Sequence, residues 1–265
     1  MIAFANAKIN LGLRVIGKRT DGYHDIESLL YPIPLYDVIE CRISRSFSLK
    51  TYGFDIGAGW QENLIHKTWK LASQRWHIDP VSVHLLKNIP VQAGLGGGSS
   101  DAAFFMKVLM DIFQLDIHQR ELKSFLLEMG SDCPFFIENT PSIIGGRGEN
   151  IVPYPLSLAG KWLIVLFNGE GISTSRAFAG LHPGKAKTSL KDILKSPVCE
   201  WRGNLVNDFE EIVFPRYPAL RKLKEHLYDH EAIYASLSGS GSAIYGIFDD
   251  QPEIRDKGIV LSTKL

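Results

Sequence analysis

Cysteine is scarce and scattered. Only Cys41, Cys133 and Cys199 occur in 265 residues. An odd, scattered number argues against a disulfide scaffold and fits a reducing compartment. Net charge is also missing: 29 Lys plus Arg balance 29 Asp plus Glu. No field therefore argues for nucleic acid or an anionic membrane as partner. No apolar run approaches the roughly 20 residues that cross a bilayer; Trp162-Leu-Ile-Val-Leu-Phe167 has the length of a buried strand instead. The stretch Met1-Ile-Ala-Phe-Ala-Asn-Ala-Lys8 lacks the basic and long apolar regions of a secretory signal. Repeats and low-complexity segments are absent too. The expectation is a soluble, cytoplasmic protein with an ordinary core, since 45% of residues are hydrophobic and 22% charged.

Glycine is present, and it is clustered. Pro90-Val-Gln-Ala-Gly-Leu-Gly-Gly-Gly-Ser-Ser-Asp-Ala-Ala103 leads straight into a helical pattern, with Ala102, Met106, Leu109 and Phe113 on one face. Gly94, Gly96, Gly97 and Gly98 let the backbone come close to a ligand, and Ser99 or Ser100 is the expected N-cap. A glycine loop that opens into a helix N-terminus presents unpaired N–H groups and the positive end of the helix dipole, which suits a polyphosphate. It is not a Walker loop, because no lysine follows Gly98, and not a dinucleotide fingerprint, because Ser99 stands where glycine is needed. Protein-kinase signatures are absent. A glycine linker would not run into a strong helix in this way.

Around the loop, strands and helices mix. Ile9, Leu11, Leu13 and Val15 alternate with Lys8, Asn10, Gly12 and Arg14, which predicts a strand with Lys8 and Asn10 on its polar face. A turn follows at Asp21-Gly22. Further strands are expected over Tyr36–Leu49, Val81–Leu86 and Trp162–Phe167. Helices are expected over Asn63–Trp76, Gln119–Met129 (ending at Gly130) and Ala219–His230. From Ile233 to Phe248 the pattern is strand, glycine turn, strand. A glycine-rich change of segment near Pro141–Asn150 divides the chain into 1–145 and 146–265, and the fold class is α+β in two lobes. Lys185, Lys187, Lys191 and Lys195 form a loop that either meets phosphate or is simply solvated. His226 and His230 have the spacing of a metal pair but no third ligand.

Four patterns stand in order: Lys8 with Asn10, the glycine loop, Gly130-Ser-Asp-Cys-Pro-Phe-Phe136, and Ser238-Gly-Ser-Gly-Ser242. Together they resemble the galactokinase, homoserine kinase, mevalonate kinase and phosphomevalonate kinase (GHMP) superfamily. Ala7-Lys-Ile-Asn-Leu-Gly-Leu13, Asp21-Gly-Tyr-His24 and Leu35-Tyr-Asp37 resemble the branch that phosphorylates a cytidine-diphosphate sugar alcohol for isoprenoid precursor synthesis. The resemblance implies an N-terminal nucleotide-binding lobe, a C-terminal α/β-sandwich lobe and a cleft between them. It implies ATP as co-substrate, Mg²⁺ alongside it although no carboxylate cage is evident, and a small-molecule partner rather than nucleic acid or membrane.

Residue by residue, the resemblance makes Asp132 the base and Lys8 its partner; a helix cap and an exposed strand lysine are the plain alternatives. Pro90, Val91, Gln92, Ala93, Gly94, Leu95, Gly96, Gly97, Gly98, Ser99 and Ser100 would hold ATP, with Asn63 and Lys87 as further nucleotide contacts. Asn63 could equally be an N-cap, and Lys87 a surface lysine. Tyr23 and His24 would hold the cytosine ring by stacking and hydrogen bonding. Asn10, Thr174, Gly239, Ser240 and Gly241 complete the substrate set, although a plain hairpin turn would use the same glycines.

Thr20 and Gln92 depart from the pattern, where proline and glycine are usual. Ser131 and Cys133 replace alanine and valine, and Cys133 reads as a buried filler rather than a nucleophile. Two rivals remain: a kinase of homoserine or mevalonate type, against which the Asp-Gly-Tyr-His turn argues, and a non-catalytic nucleotide-binding relative, against which Lys8 and Asp132 argue.

Overall fold

The computed structural model describes residues 1–20, 24–57, 59, 61–173, 177, 180 and 188–265. Strands and helices mix throughout, as α+β requires. Two compact units interleave along the chain: Met1–Ala7, Pro34–Val91 and Gly96–Thr140 form the first, and Lys8–Ile33, Gln92–Leu95 and Pro141–Leu265 the second.

In the first unit, β3 (Ser48–Gly53) lies parallel to β4 (Val81–Lys87), and β4 pairs antiparallel with Val38–Ile43 of β2 (His24–Ile43). The strand expected over Tyr36–Leu49 is thus the end of β2 and the start of β3, and β2 begins twelve residues earlier than Tyr36. Pro32 and Pro34 hid it. They fall between the stretch that pairs β4 and the stretch that pairs β5, so neither ladder needs their missing N–H. The helices are α1 (Leu64–Trp76), α2 (Gly97–Phe113), α3 (Gln119–Met129) and the short α4 (Phe135–Glu138). Their apolar stripes meet: Ile65 and Ala72, Phe105, Met106 and Leu109, and Phe125 and Leu126 are all fully buried. Each larger side chain among them contributes about 1.5–3 kcal/mol by leaving water.

Residues 8–18 of β1 (Ile2–Lys18) belong to the second unit. The alternation predicted one buried and one open face, yet every residue from Ala5 to Val15 is buried, including Lys8 at 3% exposure and Asn10 at 2%. The polar alternates are enclosed with partners of their own rather than solvated. Ser28–Leu30 of β2 pairs with β5 (Ser142–Gly145), which pairs with β6 (Asn150–Pro153). A second, antiparallel sheet runs β10-β7-β9-β8, from β7 (Trp162–Leu166), β8 (Tyr234–Leu237), β9 (Ile244–Phe248) and β10 (Ile259–Lys264). The expected strand–turn–strand is β8–β9, with Leu237 opposite Ile244. Helices α5 (Leu190–Leu194), α6 (Glu210–Arg216) and α7 (Pro218–Asp229) also belong to this unit. Leu220 and Leu227 of α7 share a core with Val213, Leu237 and Phe248. Lys191 lies in α5 rather than in the expected loop, and Lys195, the exposed C-cap of that helix, pairs with Asp192 at 2.9 Å.

Candidate active site

The glycine loop is anchored residue by residue. In the second unit, four successive carbonyls accept hydrogen bonds: Gln92 from Ile172 N (3.0 Å), Ala93 from Ala243 N (3.0 Å), Gly94 from Lys8 Nζ and Ser238 Oγ (both 2.9 Å), and Leu95 from Lys8 N (3.0 Å). In a trans peptide the N–H points opposite to the C=O, so each following amide points away from these anchors. Gln92 takes φ 54, the left-handed conformation natural to glycine, so the loop keeps its shape at that departure for about 1–2 kcal/mol of strain. Gly94 is required for space: a Cβ there would meet Ser238 O at 1.9 Å.

The same unit gathers the expected second glycine turn and the polar alternates of β1. Lys8 Nζ donates to Asn10 Oδ1 at 2.6 Å, and Asn10 Nδ2 donates to Ser28 Oγ at 2.8 Å. A Cβ on Gly239 would lie 3.1 Å from Gly94 Cα and 3.5 Å from Asn10 Oδ1. Ser240 is 5% exposed, and Gly241 N closes the turn onto Ser238 O at 2.9 Å. Two buried residues with no sequence signal hold this arrangement. Asn207 Nδ2 donates to the carbonyls of Leu237 and Gly239 (both 2.8 Å), and Tyr245 Oη donates to Asn10 O at 2.7 Å.

In the first unit, Pro90 is buried and Val91 half-buried ahead of the loop, and α2 opens at its exit. The helix does not begin at Ser99 or Ser100. It starts at Gly97 with Gly96 as N-cap at φ 73, a conformation a serine cap would not adopt, and Ser100 N bonds to Gly96 O at 2.9 Å. The N–H groups of Gly97, Gly98 and Ser99 therefore precede the helical ladder at the positive end of the dipole. Gly98 is exposed, while Ser99 lies against the segment after α3: its hydroxyl would be 3.7 Å from a Cβ on Gly130. Asp132 sits half-buried in this turn, with its carbonyl accepting from Phe135 N at 3.2 Å. Burial pushes the Cys133 thiol up to about 12, so it stays protonated and fills space, as expected.

Asn63 caps α1, its side chain accepting from Ile65 N at 2.8 Å. Lys87, at the end of β4, is no surface lysine: it is 4% exposed, and its ammonium contacts Asp37 and, at 2.7 Å, Asp101. Burial opposes its charge, but the two carboxylates outweigh that and hold it above its ordinary value. Asp37 was visible only within the Leu35-Tyr-Asp37 stretch, and Asp101 only as the residue after the serines; neither had a role assigned by its spacing. His24 opens β2 half-buried. Tyr23, Thr174, Lys185 and Lys187 lie outside the described residues. Lys8 belongs to the second unit and Asp132 to the first. His226 and His230 lie 4.3 Å apart between ring centres with their planes tilted by 59°, and among the described residues no three His, Cys, Asp or Glu side chains are grouped to hold a metal.

The chain matches the GHMP kinases N terminal domain over residues 63–139 and the GHMP kinases C terminal family over residues 197–257. A 4-diphosphocytidyl-2-C-methyl-D-erythritol kinase of Bacteroides thetaiotaomicron is 45% identical over 95% of this chain and 93% of its own. The kinase of the same name from Parabacteroides distasonis is 44% identical over 98% of this chain and 96% of its own. The chain belongs to the GHMP kinases. As a GHMP kinase it is a small-molecule kinase with ATP as co-substrate. The crystal structure of a 4-(cytidine 5'-diphospho)-2C-methyl-D-erythritol kinase superposes on this GHMP kinase with a TM-score of 0.78 at 29% identity, covering 93% of this chain and 90% of that one. A Streptococcus pneumoniae phosphomevalonate kinase shares the fold, with a TM-score of 0.66 at 16% identity over 94% and 92% of the two chains.

Proposed function

We propose that this kinase transfers the γ-phosphoryl group of ATP to the 2-hydroxyl of 4-diphosphocytidyl-2-C-methyl-D-erythritol, in non-mevalonate isoprenoid precursor synthesis. The observation that carries the substrate is the likeness, at 45% identity over nearly the whole chain, to kinases of that name. The hydroxyl oxygen attacks the γ-phosphorus, the bond to the β–γ bridging oxygen breaks, and ADP leaves. The hydroxyl proton passes to Asp132, and Lys8 offsets the charge on the transferred group. Such a transfer depends on positioning and charge stabilisation more than on covalent chemistry. Support for Lys8 is its buried ammonium at the Gly94 carbonyl; support for Asp132 is the packing of its turn against Ser99 of the loop.

The residues from Pro90 to Ser100, with Asn63 and Lys87, form the nucleotide set in this proposal. Asn10, Tyr23, His24, Thr174, Gly239, Ser240 and Gly241 form the acceptor set, and the chain-order division stays at 1–145 and 146–265. Mg²⁺ accompanies ATP as its counter-ion. Bound with the phosphates, it would supply neutralisation of their charge. A cytoplasmic location agrees with three free cysteines, Cys41 and Cys133 buried and Cys199 exposed.

The test follows ADP release with Mg-ATP and a panel of the cytidine diphosphate methylerythritol, homoserine, mevalonate and galactose. Turnover confined to the cytidine compound is expected; turnover with another alcohol removes the cytosine pocket, and silence removes the catalytic reading. Asp132→Asn should lower kcat by on the order of 10²- to 10⁴-fold, the share of a positioned base, with ATP affinity unchanged. Retention of half the turnover would dismiss Asp132 as the base.

A further inference from the structure

The two stems of the glycine loop lie in the first unit: β4 and residues 88–91 lead in, and α2 leads out. One buried cluster touches both. Asp37, on β2, is fully buried; its Oδ1 accepts from Asn88 N at 2.7 Å and Ile89 N at 2.9 Å, which are the backbone groups just before Pro90. Its Oδ2 accepts from Lys87 Nζ. Lys87 Nζ also donates to Asp101 Oδ2 at 2.7 Å, on the second turn of α2. The helix start sits directly on the cluster, because a Cβ on Gly97 would lie 2.9 Å from Ile89 Cγ2 and 3.2 Å from Lys87 Nζ.

We propose that Asp37, Lys87 and Asp101 act as positioning residues for ATP: they clamp the incoming and outgoing stems of the glycine loop at the separation that aims its amides at the phosphates. On this proposal Lys87 serves the nucleotide through its carboxylate partners, not by reaching the phosphates with its own ammonium. Side chains that are 4% exposed or less, joined by charge-assisted hydrogen bonds, hold such a separation tightly. The geometry also explains the choice of residue types. Asp37 must accept on both oxygens at once, from the backbone on one and an ammonium on the other, which a carboxylate does and a carboxamide does not. Lys87 must bridge two acceptors with one compact head, which a branched guanidinium beside Gly97 lacks room to do. Among the described residues Asp101 Oδ1 is buried with no hydrogen-bond partner, and Oδ2 makes the contact to Lys87.

The proposal rests on the reading of the loop as an ATP site, so the two must be tested apart. Isothermal titration of the wild-type chain with Mg-ATP comes first, together with its turnover on the cytidine substrate; absence of both removes the parent reading. Asp37→Asn is the first variant. The double variant Lys87→Met with Asp101→Asn is the second, leaving Asp37 on its two backbone amides and no unpaired pair of carboxylates. Both variants should fold with a single cooperative melt, bind Mg-ATP about tenfold more weakly and show KM for ATP raised to match, while KM for the acceptor stays within about twofold. A merely structural cluster would not split the two substrates. The clamp is overturned if folded variants bind ATP within twofold of wild type, if both KM values rise together, or if neither variant folds while the wild type is active.

Discussion

Two lysines of the first unit, Lys87 buried and Lys107 half-buried, leave water in different company. Lys87 is held by two carboxylates, and its proton is bound more tightly than usual. Lys107, on α2, donates to two backbone carbonyls at the end of α4, Phe136 at 2.7 Å and Ile137 at 2.9 Å, and lies 4.7 Å from the centre of the Phe104 ring. Burial lowers its pKa. Carbonyls and a ring face supply partial charges that orient an ammonium without fully replacing water, whereas carboxylates supply whole ones. The first arrangement makes a rigid link between elements. The second ties off the open carbonyls of a short helix, the helix that follows the Asp132 turn.

The comparison can be broken at its strongest point first. Lys87→Met alone should cost about 3–5 kcal/mol of unfolding free energy, because it strands two buried carboxylates. A loss below about 1 kcal/mol in urea titration would mean the cluster is not held by charge at all. Lys107→Met should cost less, about 2 kcal/mol, since lost hydrogen bonds are offset by relief of desolvation. The two should also differ in pH dependence. The stabilisation from Lys87, whose pKa is raised, is fully present below its unfolded value and is lost as pH climbs through the folded one. For Lys107, whose pKa is lowered, the penalty is relieved as pH rises through the folded value towards the unfolded one, so wild type should gain on Lys107→Met in that window. Parallel curves for the two variants would erase the distinction.

The smallest effect concerns Asp101, whose carboxyl is pushed up to about 7, first by desolvation, against the pull of Lys87. A raised carboxylate pKa means a proton is retained in the folded state between the usual value and about 7, so stability falls as pH rises across that range. Asp101→Asn removes the penalty. It should stabilise by about 1 kcal/mol above pH 7, with the gain fading towards pH 4, measured as the Tm difference along a pH series. A gain that does not change with pH would show that Asp101 does not take up the proton.

Much of the molecule was legible in its pattern of residues. Gln119–Met129 is the helix expected, with the same bounds, and the β8–β9 hairpin lies where Ile233–Phe248 placed it. These are local signals, in which period, cap and glycine turn act within a few residues of one another. Long-range partnership is what failed to show. The burial of the polar alternates of β1 depends on Ser28, Gly94 and Tyr245, which are distant in sequence. Lys87 reads from sequence as a nucleotide contact or a surface lysine, and its enclosure by carboxylates does not show because those partners stand 50 and 14 residues away. The start of α2 was misplaced because serine is the better cap in general, while here a left-handed turn at Gly96 decides.

The sequence by itself determined the class of protein, the glycine loop proposed for the phosphates and the residue types offered for chemistry, because backbone freedom, periodicity and side-chain inventory are properties of short stretches. Only the tertiary structure decided which lysine is enclosed by carboxylates and which by carbonyls. Charge and burial act through space, and two residues fifty positions apart acquire a shared electrostatic fate only when the chain has brought them within hydrogen-bonding distance.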